Sequence, residues 1–153
     1  MSSKKRTTWR SYALVFAVAV AFNFPWEMLQ APLYRMETGS LPAWLHCLRA
    51  SFVDGLLVLL ILVLGARVLG RPDWFDRPGG RGHAWTVVSG VIFAAALEWT
   101  SVHLLKRWSY EPTMPVMPGL DIGLVPIAQM LVLPPAIFAV AARLRSFKMR
   151  PAA

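Results

Sequence analysis

Asn23, Glu27 and Gln30 stand at i, i+4 and i+7 inside an otherwise apolar stretch, so on a helix all three share one face. An ionisable group in such a stretch needs a partner, a water-filled cavity or a ligand, because inserting it among hydrocarbon costs about 2.5–3.5 kcal/mol. The same holds for Asp54, for Glu98 and for the cation Arg49, each set within a long apolar run. Three carboxylates against one arginine leave an excess of negative charge, which invites a proton, a metal ion or a cationic ligand. Glu27 and Glu98 are the candidate catalytic groups, with His103 to orient or to ligate, since a carboxyl held away from water suits proton transfer. Asn23, Gln30, Arg49, Asp54, Trp99 and Gln129 form the candidate ligand-binding set. Trp99 follows Glu98 and shares a face with His103 at i+4, where it would wall a cavity.

A divalent metal is the cofactor this residue set suggests, with His46, His103 and Glu98 as candidate ligands, because carboxylate with imidazole suits zinc, iron or manganese. The spacing does not favour it: there is no HExxH, and Glu98 and His103 are five apart, unlike the Glu-x-x-His unit of di-iron bundles. A copper variant would draw on Met36, His46, Cys47, Met114 and Met117, which read equally well as packing residues. Haem ligation by His46 or His103 has no further support in the sequence. Cys47 is the only cysteine, so an internal disulfide and a CxxC site are excluded.

The elements that position these groups are read from hydropathy. The 153 residues are 56% hydrophobic and 16% charged, more apolar and less charged than a soluble domain. A soluble enzyme and a disordered chain are both excluded, and the length suits one domain, 1–153. Four stretches meet the requirement of about 20 residues for a spanning helix: about 12–33, 43–69, 85–105 and 122–144. The expected fold is an all-α integral membrane protein, a four-helix transmembrane bundle.

Charge placement sets the topology. Twelve of the sixteen cations fall in three clusters: Lys4, Lys5, Arg6 and Arg10; Arg67, Arg71, Arg77 and Arg81; Arg143, Arg145, Lys148 and Arg150. Placing all three on the cytoplasmic side gives N-in, C-in and four crossings. The other side keeps only Arg35, Lys106 and Arg107 against Glu37, Glu111 and Asp121. A competing reading takes residues 12–18 and Ala19-Val20-Ala21 as a cleaved signal peptide. The apolar stretch runs on through Leu29 instead, and cleavage would put the termini on opposite faces.

The segment 70–84 reads as a cytoplasmic loop rich in glycine and proline; its Gly79-Gly80-Arg81-Gly82 lacks the ending and context of a phosphate loop. The segment 106–121 reads as an outer loop. Prolines at 112, 115 and 118 suggest a stiff, extended, left-handed run lying back over the bundle mouth. Glu27, His46, Arg49, Asp54, Glu98, His103 and Gln129 then share the middle or outer half, which predicts a polar cavity open to the non-cytoplasmic side.

The function expected from this is binding, or chemical transformation, of an apolar or amphipathic small molecule in that cavity. Alternatives are an accessory subunit of a larger membrane complex and a proton-coupled or metal-ion transporter subunit. Expected partners are the lipid bilayer, the small molecule, and other membrane subunits or a second copy. Nucleic acid is not expected, since no basic cluster is interleaved with aromatics. The expected location is a bacterial-type inner membrane.

Overall fold

In the computed structural model, which describes residues 3–36 and 42–148, four helices carry the chain. They are α1 (Ser3–Gln30), α2 (Ala43–Val68), α3 (Gly79–Trp99) and α4 (Leu124–Lys148). Each is long and apolar enough to cross a membrane, and the chain is a multi-pass membrane protein. Glu37 and Arg150 lie outside the described residues, as do the side chains of Lys4, Lys5, Arg6, Met36 and Lys148.

The helices follow one another round the bundle. α1 packs on α2 and α4, and α3 packs on α4, while the α2–α3 seam is the thinner one. The core runs from Val15, Val18 and Ala19 through Val58, Ile61 and Leu62 to Leu133, Ile137 and Ala141. Small residues set the close approaches. A Cβ on Gly55 would meet Phe16 at 2.9 Å, and one on Gly90 would meet the Met130 carbonyl oxygen at 2.5 Å.

One end of the bundle carries the arginines of the α2–α3 connection and of the α4 C-terminus. There Trp74 and Phe75 sit in a short 3-10 turn, Trp74–Asp76, packed on Phe138, and Asp76 pairs with Arg145 at 2.9 Å. The opposite end is covered by two small antiparallel ribbons. β1 (Tyr34–Met36) pairs with β2 (Trp108–Tyr110) in the register Tyr34↔Tyr110, and β3 (Val116–Met117) pairs with β4 (Ile122–Gly123).

Several boundaries differ from the sequence expectation. α1 begins at Ser3, ahead of position 12, because the polar cluster there continues the helix beyond its apolar span, Trp9–Leu33. Residues 79–84, expected in a loop, form the first turns of α3. Glycine is required there: a Cβ on Gly82 would meet Pro78 at 2.6 Å and Trp74 at 3.2 Å. Beyond Trp99 the chain makes a π-helical turn, Thr100–Leu104, and reverses at Lys106 with φ +50°. Segment 106–121 is not a continuous extended run: it folds into ribbons and turns, with Met114 N–H on Glu111 O at 2.9 Å and Asp121 N–H on Met117 O at 2.9 Å. Pairing satisfies backbone donors that a left-handed extended run leaves to water. The helical fold thus carries small strand elements that an all-α expectation omits.

Candidate functional site

Asn23, Glu27 and Gln30 do share a face of α1, directed at α2 and α4. Asn23 is fully buried and ties itself to its own helix, donating from Nδ2 to Ala19 O at 2.9 Å. Gln30 accepts from the Trp26 indole at 3.1 Å and donates from Nε2 to Glu27 Oε1 at 2.7 Å and to Gln129 Oε1 at 3.1 Å. Gln129, buried on α4, is the hub. Its Nε2 lies 2.8 Å from Asn23 Oδ1, 3.0 Å from Glu27 Oε1 and 2.9 Å from Asp54 Oδ2. A single amide NH2 thus faces three acceptors with two hydrogens, and it joins α1, α2 and α4 at one point. Cys47 Sγ donates to Glu27 O at 3.6 Å, adding a second α1–α2 tie beside the cluster.

Glu98 belongs to a separate cluster under the β1–β2 ribbon. Its carboxylate receives the Tyr110 hydroxyl at 2.5 Å, with Tyr34 OH and Trp108 Nε1 each at 3.5 Å. The Gly123 N–H donates to Tyr110 OH at 2.8 Å, so β4 holds the phenol that holds Glu98. Burial, then the Glu98 charge, pushes the Tyr34 hydroxyl well above the ordinary tyrosine range. Burial and the hydrogen bond to Glu98 do the same to Tyr110. Both phenols are therefore held as neutral donors towards the carboxylate.

A cavity of about 450 Å³ lies between the two clusters. Glu27, Gln30, Asp54 and Gln129 line one side, and Tyr34, Glu98 and Trp108 line the other. Apolar walls come from Val53, Leu57, Leu97 and Met130, with His46, Cys47, Arg49 and Arg107 also in the lining. Arg49 is exposed and has no ion pair among the described residues, so neither an Arg49–Glu27 nor an Arg49–Glu98 clamp forms. His46 Nε2 is buried without a hydrogen-bond partner among the described residues. The combination of an apolar body and a few converging polar groups is the general character of a small-molecule site.

Of the residues singled out from sequence, the structure brings Glu27, Gln30, His46, Arg49, Asp54, Glu98 and Gln129 to this cavity, with Asn23 directly behind Gln129. Trp99 and His103 are not part of it. Their rings meet at a tilt outside it, centroids 5.7 Å apart and planes at 44°, and a His103 ring nitrogen lies 3.0 Å from Leu120 O. Glu98 and His103 are five residues apart and take different partners, Glu98 the Tyr110 hydroxyl and His103 the Leu120 carbonyl and the Trp99 ring, so they do not act on one site. His46, His103 and Glu98 therefore do not converge as metal ligands. Among the described residues no group of three His, Cys, Asp or Glu side chains could hold an ion. Met114 is buried against Gly123, away from Cys47 in the cavity.

Sequence reasoning missed Tyr34, Arg107, Trp108 and Tyr110. Trp108 and Tyr110 alternate as same-face residues of a strand, which is the signal that places both beside Glu98.

Four apolar helices around a half-polar cavity define a small multi-pass helical membrane protein. No protein-family model, curated protein or solved structure matches the chain.

Proposed function

We propose that this protein binds an apolar or amphipathic small molecule in the cavity between Gln129 and Glu98, and that the Glu27–Asp54 pair exchanges a proton with it. The observation that carries the reading is the 450 Å³ space with two carboxyls, Glu27 and Asp54, joined through one amide on its polar side and with apolar walls opposite. Glu27 keeps the acid–base role given to it by sequence. Asp54 replaces His103 as its companion, because it is the group that shares the Gln129 amide with it. Glu98 is a positioning carboxylate, held by Tyr110.

The arginine-rich end is cytoplasmic in this reading, with both termini there. Three cationic clusters support it, since positive loops are retained on that side. The cavity then opens on the non-cytoplasmic half of the membrane.

Native mass spectrometry of the gently extracted protein tests the reading. A stoichiometric small molecule on the wild type, lost from a Glu27→Gln, Asp54→Asn double variant that keeps its helical content, is the expected result. An empty cavity in both forms, with the chain held in a larger complex, refutes it in favour of an accessory subunit.

A further inference from the structure

We infer that the cavity is loaded sideways from the bilayer through the α2–α3 seam, and that its occupant is a single-chain amphiphile whose head donates hydrogen bonds, a hydroxyl or an amine. The inference rests on the ligand-binding reading above and adds the route and the head-group chemistry.

The route follows from how the four seams are closed. α1 and α2 meet through Gly55, where Phe16 and Val20 take the space of a side chain. α3 and α4 meet through Gly90, against the Met130 backbone. α1 and α4 are joined by the Gln129 hub. Among the described residues, the hydrogen bonds that fasten the α2–α3 seam lie at the arginine-rich end. There the Trp74 indole donates to Leu62 O and the Trp85 indole to Ile61 O, both at 3.0 Å, and both rings close over Gly65, where a Cβ would lie 2.7 Å from each. Towards the ribbon end no hydrogen bond links α2 to α3 among the described residues. The side chains flanking that part of the seam are cavity walls: Ala50, Val53 and Leu57 from α2, Ala94 and Leu97 from α3. Val53 lines the cavity and is also 45% exposed, so one side chain borders both the cavity and the outer surface of the bundle. In a bilayer that surface is acyl chain. A helix pair fastened at one end and lined with aliphatic side chains at the other admits a hydrocarbon tail with no polar surface in its path.

The head-group class follows from counting donors and acceptors on the polar side. Both hydrogens of Gln30 Nε2 are used, on Glu27 and Gln129, and Gln129 Nε2 faces more acceptors than it has hydrogens. Beyond the Gln30 and Gln129 amides, Glu27 and Asp54 hydrogen-bond each other, so a proton shared by the two carboxyls is already placed between them. The Glu27–Asp54 side offers acceptors and no spare amide donor, and the lining cations Arg49 and Arg107 are both exposed, so a head group that reaches the buried carboxyls satisfies them by donating. A carboxylate head would meet Glu27 and Asp54 as a like charge.

Three photoreactive probes test both parts. Diazirine-bearing hexadecyl alcohol, hexadecylamine and hexadecanoic acid are partitioned into vesicles holding the full chain, irradiated, and the labelled peptides mapped by mass spectrometry. In a Cys47→Ser background, Val53→Cys and Leu97→Cys are bridged by a short thiol-reversible cross-linker to close the seam. The alcohol and amine are expected to label the cavity peptides of α2 and α3 about tenfold more than the acid, the ratio that one hydrogen bond to a charged group supports. Bridging should cut that labelling about tenfold, and a reductant should restore it. Ala50→Trp, which narrows the same seam without a cross-link, should slow labelling in the same direction. Labelling indifferent to both closures overturns the route. Preferred labelling by the acid overturns the head-group assignment. If no probe reaches the cavity while native mass spectrometry finds an occupant, this inference alone fails; if neither is seen, the ligand-binding reading falls with it.

Discussion

Replacing Gln129 with methionine keeps the volume and removes the hub of the polar cluster. Four contacts disappear together: those from Nε2 to Asn23, Glu27 and Asp54, and the one that Oε1 accepts from Gln30. With two hydrogens on Nε2, at most three of these bonds form at once; interhelical hydrogen bonds in membrane bundles average about 0.6 kcal/mol each, so together they are worth about 2 kcal/mol. Leaving Asn23 Oδ1 buried without a donor adds a further cost of about 1 kcal/mol or more. The Gln129→Met protein should therefore lose about 3 kcal/mol, a shift of about 150-fold in the folded-to-unfolded ratio. Reversible unfolding in mixed micelles, followed by helical circular dichroism, measures it. Leu131→Met on the exposed face of the same helix is the control and should change stability little. A loss below about 0.5 kcal/mol for Gln129→Met would mean that the cluster is not what joins α1, α2 and α4, and the reasoning from its hydrogen bonds would be refuted.

Gly90→Ala drives a Cβ to 2.5 Å from the Met130 carbonyl oxygen, a rigid backbone atom, so α3 and α4 must separate. The cost should be about 1–3 kcal/mol by the same unfolding measurement, and a neutral result would contradict the close approach. In a Tyr12→Phe background, ultraviolet titration should show Tyr34 and Tyr110 un-ionised through the ordinary tyrosine range near 10. Because their folded values are raised, their contribution to stability is complete below that range and is lost as pH rises beyond it. Two phenols titrating normally would refute the buried Glu98 cluster. Arg35 holds Glu111 through two contacts, at 2.7 and 2.9 Å, and keeps its carboxyl below the ordinary range. This tie between β1 and the end of β2 is complete above the ordinary carboxylate range and is lost as pH falls through the lowered value. Amide exchange at Glu111, whose N–H donates to Leu33 O at 2.9 Å, should accelerate there, and Arg35→Gln should abolish that pH dependence.

Much of the helical framework was legible because membrane insertion leaves a strong mark on sequence. The expected span 43–69 coincides with α2 to within a residue, since a long apolar run bounded by Pro42 and the Arg67–Arg71 cluster has few other solutions. The polar spacing at 23, 27 and 30 also survives in the structure, because local helical periodicity alone places three such residues on one face. Less was legible where the local pattern has two outcomes. Residues 79–84 read as a loop because glycine is a poor helix former, and the reason they are helical lies in Trp74 and Pro78, which leave no room for a side chain at Gly82. The prolines of 106–121 suit an extended run, and pairing with the chain around Tyr34 and Gly123 overrides them.

Composition and hydropathy by themselves determined the class of protein, the four long apolar helices and the membership of a buried polar set. These properties depend on transfer from water to hydrocarbon, which each residue undergoes almost independently of its distant neighbours. Tertiary structure alone decided which members of the set meet. It joined Glu27 to Asp54 through Gln129, gave Glu98 to Tyr110, and sent His103 and Trp99 outside. Those outcomes depend on the rotation of each helix about its axis and on the pairing of β1 with β2. Both are settled by packing between segments up to about a hundred residues apart, for which helical period carries no information.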